Sequence, residues 1–468
     1  MTQERTSFDF ITIQLLSERH PRPVELNRIV SDLEIFEHIE KPYLTARLLL
    51  IDDSNFYQDA DIVGAERILI RLKSQEDGAR GIEKTFFIHK VEKDQKIQDN
   101  ASSVLIHLVE DIFYISTLQN VNRYYSGRPS EIIRKISKEF INKELLINPD
   151  AELGRRNPND NQQVELIVPN MHPLDAMQWV KTRANTNRGY PFYLYSTLVG
   201  DNLRLEDLGT ILLRESLNEG DRDANFVASS VKTQDTMNVT QQRRAIENFE
   251  FLSQENLLDV IERGLISSNY EFIDTLTENT RSFAFDIKDD LFKKLQLDGI
   301  LSQKQPNPGI SFDEKINDKN INQYKSRKST YIGGSMAYRD SDASTDQPDP
   351  LKYVGWNNSY NETKNSAEYK LRVIKSAMDT MLKKNPLTIN LNGLEFIQGD
   401  FHKTIGRNID ISFQATQEST EGNPDKEDKK KSGKYLIYSV RHMFKRTVDK
   451  YDVSMSCVRI SSLRRNET

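Results

Sequence analysis

Apolar positions recur with a period of two along the first 120 residues, the spacing of strands with one buried face. Phe8, Phe10, Ile11, Ile13 and Leu15 nearly alternate with polar neighbours, and Leu33, Ile35 and Phe36 do so in the next segment. Tyr43 to Ile51 reads as a short apolar strand, ended by the turn chemistry of Asp52-Asp53-Ser54-Asn55. Ile68, Ile70 and Leu72 carry the alternation through Ile62 to Leu72, and Thr85 to Val91 and Ser103 to Val109 follow. Strands at this spacing, with little helix between them, predict a sandwich or barrel.

The period then changes. Ser126-Gly127-Arg128-Pro129 is a breaker that places Pro129 near the first helical position, and Ile132, Ile133, Ile136, Phe140 and Ile141 recur at helical spacing. A second helix is predicted from Pro173, with Leu174, Met177 and either Trp179 or Val180 on its apolar side. Phe192, Leu194 and Tyr195 read as a strand before a turn at Gly200-Asp201-Asn202, so residues 121–210 form a small α+β block. Strands return from Phe249, with one short helix over Asn256 to Arg263 ended by Gly264. Residues 301–366, rich in Asn, Asp, Ser, Lys, Gly and Pro, read as a long surface excursion. Leu371, Ile374, Ala377, Met378, Met381 and Leu382 predict an amphipathic helix stopped before Pro386. Strands resume from Leu387 to Ile460, interrupted by a charged loop from Gln417 to Ser432.

The two strand-rich ends echo each other. Ile62-Val63-Gly64 leads into Ile68 and Ile70, as Thr404-Ile405-Gly406 leads into Ile409 and Ile411, one residue earlier relative to the glycine. Phe86 to Val91 matches Tyr435 to Val440, with the same spacing from Ile88 to Val91 as from Ile437 to Val440. A last strand follows in each, Val104 to Leu108 and Tyr451 to Met455. The pattern alone leaves open a duplication or two unrelated sheets.

Composition narrows the function. The 468 residues carry 64 Lys+Arg against 70 Asp+Glu, a net charge of −6, which argues against a dedicated nucleic-acid binder. The single cysteine, Cys457, excludes an internal disulfide framework and any multi-cysteine metal site. Met1 to Phe10 has no secretory signal pattern, and no apolar run reaches membrane-spanning length. Of the histidines His20, His38, His89, His107, His172, His402 and His442, none has a partner histidine at metal-ligand spacing on one helix. His89 and His107 fall in predicted strands and read as structural. His442 and Cys457 are a conceivable nucleophile pair, but a lone cysteine in an alternating strand reads first as a small core residue. Gly333-Gly334 lacks a phosphate-loop context. Asp52-Asp53 and Asp289-Asp290 read as solvated turn formers rather than carboxylate dyads, and Lys426 to Lys434 as a solvated hairpin tip rather than a phosphate patch. No catalytic, cofactor-binding or metal-ligating set is assigned, which in a chain this long favours a structural or assembly role.

Several stretches in order resemble the baseplate central hub protein of contractile-tailed bacteriophages, a family related to the base of type VI secretion spikes. Glu37-His38-Ile39-Glu40-Lys41-Pro42-Tyr43-Leu44-Thr45-Ala46, then Ile51-Asp52-Asp53 and Ile62-Val63-Gly64-Ala65-Glu66, is similar to the family's first barrel, continued by Phe86 to Val91 and Val104 to Val109. Tyr124 to Ile133 is similar to the start of its inserted domain, and Pro173 to Arg183 with Pro191 to Tyr195 to that domain's helix and following strand. Ser432-Gly433-Lys434-Tyr435-Leu436-Ile437, with His442 and Tyr451, resembles its closing hairpin. The matches span about 30–205 and 245–460, with 301–366 divergent.

The resemblance implies a mainly β chain with α+β insertions, built as two tail-tube-like β-barrels plus peripheral α/β elements. The expected division is 1–120 for the first barrel, 121–210 for the inserted α+β domain and 211–300 for the start of the second barrel. Residues 301–385 would hold a polar insertion with the amphipathic helix, and 386–468 the rest of the second barrel. It further implies a structural, non-enzymatic hub without cofactors, a homotrimer with a pseudo-six-fold face that joins the tail tube to a separate spike protein around a channel. Tape-measure and baseplate wedge proteins are further partners, with no specific nucleic acid and no membrane insertion. The setting would be the virion tail baseplate, assembled in the host cytoplasm. The alternatives are a tail-associated peptidoglycan-degrading lysin and a peripheral or receptor-binding baseplate protein. Three expectations follow: the spike lies on another chain, since Thr468 comes soon after Ile460; the channel wall does not hold DNA tightly; and strands near 62–72 or 85–91 of one chain neighbour 405–414 or 434–442 of the same or the next chain.

Overall fold

The period-two segments of the front form β1 (Phe8–Leu16), β2 (Val24–Glu25), β3 (Val30–His38), β4 (Thr45–Asp52), β5 (Arg67–Ser74), β6 (Ile82–Gln98) and β7 (Ala101–Glu110) in a computed structural model. The structure describes residues 8–20, 22–53, 56, 60, 62–74, 81–98, 101–148, 164–184, 186, 189–218, 226–228, 244–252, 257–274, 280–300, 315–333, 373–380, 386–397, 402–413, 428, 431–446 and 450–462. The middle block holds α1 (Asp111–Thr117), β8 (Val121–Gly127), α2 (Pro129–Ile136), β9 (Leu145–Ile147), β10 (Val164–Met171), α3 (Pro173–Lys181), β11 (Phe192–Tyr195), β12 (Leu203–Asp207) and α4 (Leu208–Leu213). The back contributes β13 (Phe226–Ala228), β14 (Ile246–Phe251), β15 (Ser267–Asp274), β16 (Thr280–Asp286), β17 (Lys315–Ile316), β18 (Lys319–Asn320) and β19 (Arg327–Gly333). It ends with β20 (Pro386–Asn392), β21 (Asn408–Phe413), β22 (Gly433–Lys445) and β23 (Lys450–Ser462).

Thirteen strands form one sheet in the order β14-β20-β23-β22-β3-β4-β7-β6-β5-β1-β2, with β21 and then β13 branching from β22. The echo in the sequence is an echo in topology. The front unit runs β3-β4-β7-β6-β5-β1 in space and the back unit β14-β20-β23-β22-β21-β13, so equivalent strands in chain order take equivalent places. The ladders match in detail. Each unit bulges after its equivalent isoleucine, between Ile88 and Lys90 and between Ile437 and Ser439. Each also shifts register near the start of its edge strand, between Val30 and Asp32 and between Ile246 and Asn248. The Ile88 amide donates to the Glu66 carbonyl and the Ile437 amide to that of Arg407, which makes Ala65 the counterpart of Gly406. Both are left-handed, at φ of 65° and 73°. The first strands differ: β1 runs antiparallel to β5, whereas the short β13 runs parallel to β21.

The mainly β class with helical insertions is what the structure shows, but among the described residues neither unit closes into a barrel. The reason lies at β3: its outer edge, which barrel closure would need, is occupied by β22 of the back unit. In the back unit a single isolated bridge, Val227 to Ala245, stands where a closing ladder would run. Within the chain the two units therefore do not meet at 62–72 or 85–91. Residues 434–442 do reach the front, but through β3.

A second core fills the middle block. α2 begins at Pro129 as its sequence predicts, with Glu131 reaching back to the Arg128 amide, and it buries Ile132, Ile133 and Ile136. In α3 the buried partner of Leu174 and Met177 is Val180, while Trp179 lies under the Arg183 guanidinium. Two readings of the polar segments change. Residues 327–333, inside the predicted surface excursion, form β19 parallel to β15, because Tyr331 and its neighbours supply strand pattern that the surrounding composition conceals. Asp289 and Asp290 are helical rather than turn residues. Asp289 pairs with Lys293 one turn on, and buried Asp290 accepts from the Asp286 amide. The predicted helix is present over 373–380, with Ile374, Ala377 and Met378 buried; Leu371, Met381 and Leu382 lie outside the described residues, as do Gly334 and most of the loop from Gln417 to Ser432.

Candidate assembly interface

The place where the two units meet is built by one long strand. β22 first pairs with β21, Gly433 opposite Ile411 through Leu436 opposite Asn408. After the bulge at Tyr438 the same edge pairs with β3, Ser439 opposite His38 through Lys445 opposite Asp32. A bulge bends its strand, and here the bend lets one edge serve two partners in succession. The Tyr438 carbonyl at the bulge is not wasted, since it accepts from the Ile39 amide at 3.0 Å. Arg441 and Glu34 pair on the outer face of the ladder.

Its inner face carries a buried polar chain. Glu37, His442 and Tyr451 are at most 1% exposed. His442 Nε2 lies 3.2 Å from Glu37 Oε2, and Nδ1 lies 2.8 Å from the Tyr451 hydroxyl. In the neutral ring Nε2–H donates to the carboxylate, which leaves Nδ1 to accept from the hydroxyl. Burial and the Glu37 charge hold the Tyr451 pKa well above its usual value, so it stays a donor. The other Glu37 oxygen accepts from the Leu198 amide, tying in the middle block. The three residue types could make a reactive triad, but every one is sealed in the sheet and has its polar atoms engaged.

The segment from Tyr195 to Arg214 fastens both units. Toward the front, Ser196 donates to Glu110 at 3.3 Å, and Lys84 donates to the Gly200 carbonyl and, at 3.0 Å, to Asp201. Lys84 and Glu110 lie 3.8 Å apart in the core, where desolvation raises the carboxyl's pKa against the pull of the lysine. Toward the back, Arg214 bridges Glu206, at 2.9 Å, and the Gly406 carbonyl. Tyr195 donates to the same Glu206 at 2.8 Å. Asn408 donates to the carbonyls of Ile211 and Arg214, each at 2.8 Å, and Lys434 to that of Arg214 at 2.9 Å. His402 lies beside this seam with neither ring nitrogen bonded, and burial followed by the nearby arginines pushes its pKa well below the usual value.

The other candidates from the sequence scatter. Cys457 is buried opposite Ile437, whereas His442 stands opposite Val453, four ladder positions away. Asp52 is a buried acceptor for the Phe56 amide and Asp53 is exposed. His107 binds Glu92 at 2.6 Å, His89 packs edge-on to Phe113, His20 reaches the Ala60 carbonyl and His172 that of Gln119. Among the described residues no group of three His, Cys, Asp or Glu could hold a metal ion. The buried charges at the seam carried a signal that residue type alone hides: Glu37 is in phase with Leu33 and Ile35, Lys84 with Ile82 and Phe86, and Glu110 with Ile106 and Leu108. A charge on the inward phase of a strand needs a partner inside.

No family model matches the chain, and no curated protein matches it in sequence. Among solved structures it is similar to the tail protein from Neisseria meningitidis MC58, with a TM-score of 0.50, 10% identity and 97% of each chain covered. It is also similar to the prophage MuSo2 tail protein from Shewanella oneidensis, at TM-score 0.47, 9% identity and 96% of each chain. The prophage tail protein gp18 from Listeria monocytogenes gives 0.44 at 9% identity, over 95% of this chain and 94% of that one. Over nearly its whole length the chain thus shares its fold with a tail protein.

Proposed function

We propose that this chain is the central hub of a contractile-tail baseplate, a structural homotrimer that joins the tail tube to a separate spike protein around an open channel. The observation that carries this reading is the repeated unit: two halves of one sheet with the same strand order, joined within the chain by the β22–β3 ladder. Three copies would present six nearly equivalent units about a three-fold axis, which is what an adapter between a six-fold tube and a three-fold spike needs. Closed cyclic symmetry uses each head-to-tail contact once and leaves no edge open. The tail-protein fold supports the class, and the sealed polar seam suits a scaffold rather than an enzyme.

Tape-measure and wedge proteins are the further partners of such a ring, and its setting is the virion baseplate. The net charge of −6 fits a channel wall over which nucleic acid slides. The test is mass measurement with three-dimensional reconstruction of the purified chain. A three-fold ring with a central hole and six similar lobes is expected. A ring of six equivalent copies, or cell-wall hydrolysis in zymography, would overturn the reading.

A further inference from the structure

The loop that leads into β21 holds two buried polar side chains whose hydrogen-bonding groups are unused. Residues 402–407 close on themselves: the Arg407 amide donates to the Thr404 carbonyl and Arg407 Nε to the His402 carbonyl, each at 3.2 Å. His402 and Thr404 are at most 2% exposed. Among the described residues, nothing bonds to either ring nitrogen of His402 or to the Thr404 hydroxyl. A neutral imidazole always presents one N–H, and a hydroxyl presents another donor. Two donors therefore lie here without an acceptor, an arrangement that costs stability unless something fills it.

The surrounding charge says what fills it. After burial, the charges of Arg204, Arg407 and Arg214 bear on the His402 ring and keep it neutral. Arg204 reaches Glu206 at 3.2 Å and Arg214 the same carboxylate at 2.9 Å, and Tyr195 donates to it as well. Guanidinium groups carry donors and no acceptor. A water molecule would bring two hydrogens of its own into this surrounding, whereas an anion needs donors only and gains from the positive charge. We infer that a halide-sized inorganic anion binds beside His402 and Thr404, in the field of Arg204, Arg214 and Arg407. Its size follows from the seal, since Ile405 and Asn408 in the same loop are wholly buried and Arg214 nearly so. Arg204 and Arg407 are half-buried and mark the side from which the ion enters. Arg204 and Arg214 belong to the segment that fastens the units, and the loop belongs to the back unit, so the anion holds this joint together. The inference goes beyond the hub reading and does not depend on it.

The experiment is urea unfolding of the full chain as sodium chloride or sodium bromide replaces sodium gluconate at constant ionic strength, gluconate being too large for a sealed site. For the native chain the unfolding constant at fixed urea is expected to fall about tenfold and then level off, the form of binding to the folded state alone. Thr404→Ser keeps the hydroxyl and should keep this dependence; Thr404→Val and His402→Phe should reduce it to less than about twofold. An unfolding constant indifferent to halide, or an equal dependence in native chain and variants, which is a general salt effect, overturns the inference. Crystals of the native chain grown in sodium bromide decide the matter without a variant. An anomalous scattering peak beside the His402 ring and the Thr404 hydroxyl is expected, and bromide found only on the surface, or water alone at this place, overturns it.

Discussion

Gly406→Ala should destabilise the back unit by about 2–5 kcal/mol, while the same residue already stands at the equivalent front position. Gly406 is left-handed at φ 73°, and an alanine there meets a backbone cost of about 1–2 kcal/mol. Its Cβ would lie 2.6 Å from the Tyr195 hydroxyl oxygen and 3.2 Å from Cζ. Tyr195 cannot swing away, because it is fully buried and its hydroxyl donates to Glu206. Overpacking of this kind adds about 1–3 kcal/mol. Ala65, at φ 65°, already bears the backbone cost. Ala65→Gly relieves the backbone but frees the unfolded chain, so its net effect should stay within about 1 kcal/mol of zero. Denaturant unfolding followed by circular dichroism measures each variant. Exchange of the Ile437 amide, which donates to Arg407 beside the site, reads the loss locally. In a Tyr195→Phe background the hydroxyl clash disappears, and the double-mutant cycle should return about 1–2 kcal/mol of coupling. A Gly406→Ala cost below about 1 kcal/mol, or no coupling to residue 195, would refute the reasoning.

Asp207 caps α4 through the Thr210 amide at 3.0 Å, yet desolvation pushes its pKa up to about 6. The folded state therefore holds a proton that the unfolded one releases near 3.8, so this site's stabilisation is full below that pH and falls as pH rises toward 6. Relative to Asp207→Asn, which keeps the cap, the native chain should lose about 2–3 kcal/mol between pH 4 and pH 7 in paired urea titrations; a flat difference contradicts this. Glu37→Ala should cost about 3–5 kcal/mol by stranding His442 and the Leu198 amide, and a cost within about 1 kcal/mol of zero in denaturant unfolding would remove the buried chain from the stabilising contacts. Cys457 is buried and its thiol pKa is raised by desolvation, so thiol reagents should label it only after denaturant is added; rapid labelling of the native chain would contradict its place between β20 and β22.

Much of the architecture is legible in the alternation of residues, and what escapes it has physical causes. Period two finds the strands and the matched stretches Phe86 to Val91 and Tyr435 to Val440, but it is blind to edges: nothing in the spacing says that β3 pairs with β22 rather than closing its own unit. Edge pairing is decided by bulges and strand length, and β22 is long enough to serve two partners. β19 was hidden because seven residues of strand sit inside a stretch of loop composition. At the seam, His442 is a candidate in the sequence, while the residue types of Glu37, Lys84 and Glu110 alone point to no site. Their phase with buried neighbours marks them as inward, and only the fold shows which partners meet them.

The buried chain also explains how the two units keep one alignment. In the ladder between β22 and β3, a slip of one residue would turn Leu33 and Ile35 to the outer face and is excluded by the apolar pattern. A slip of two residues preserves that pattern, because the side-chain period is two. It does not preserve Glu37 and His442, which meet diagonally across the ladder, with His442 opposite Ile35 and Glu37 opposite Val440. Displaced by two positions, a carboxylate and an imidazole would be buried without each other, at a cost of several kcal/mol. Apolar residues at both places would pack as well and tolerate the slip. Polar groups at these two positions therefore add register, which a repeated sheet needs most where one unit is joined to the next.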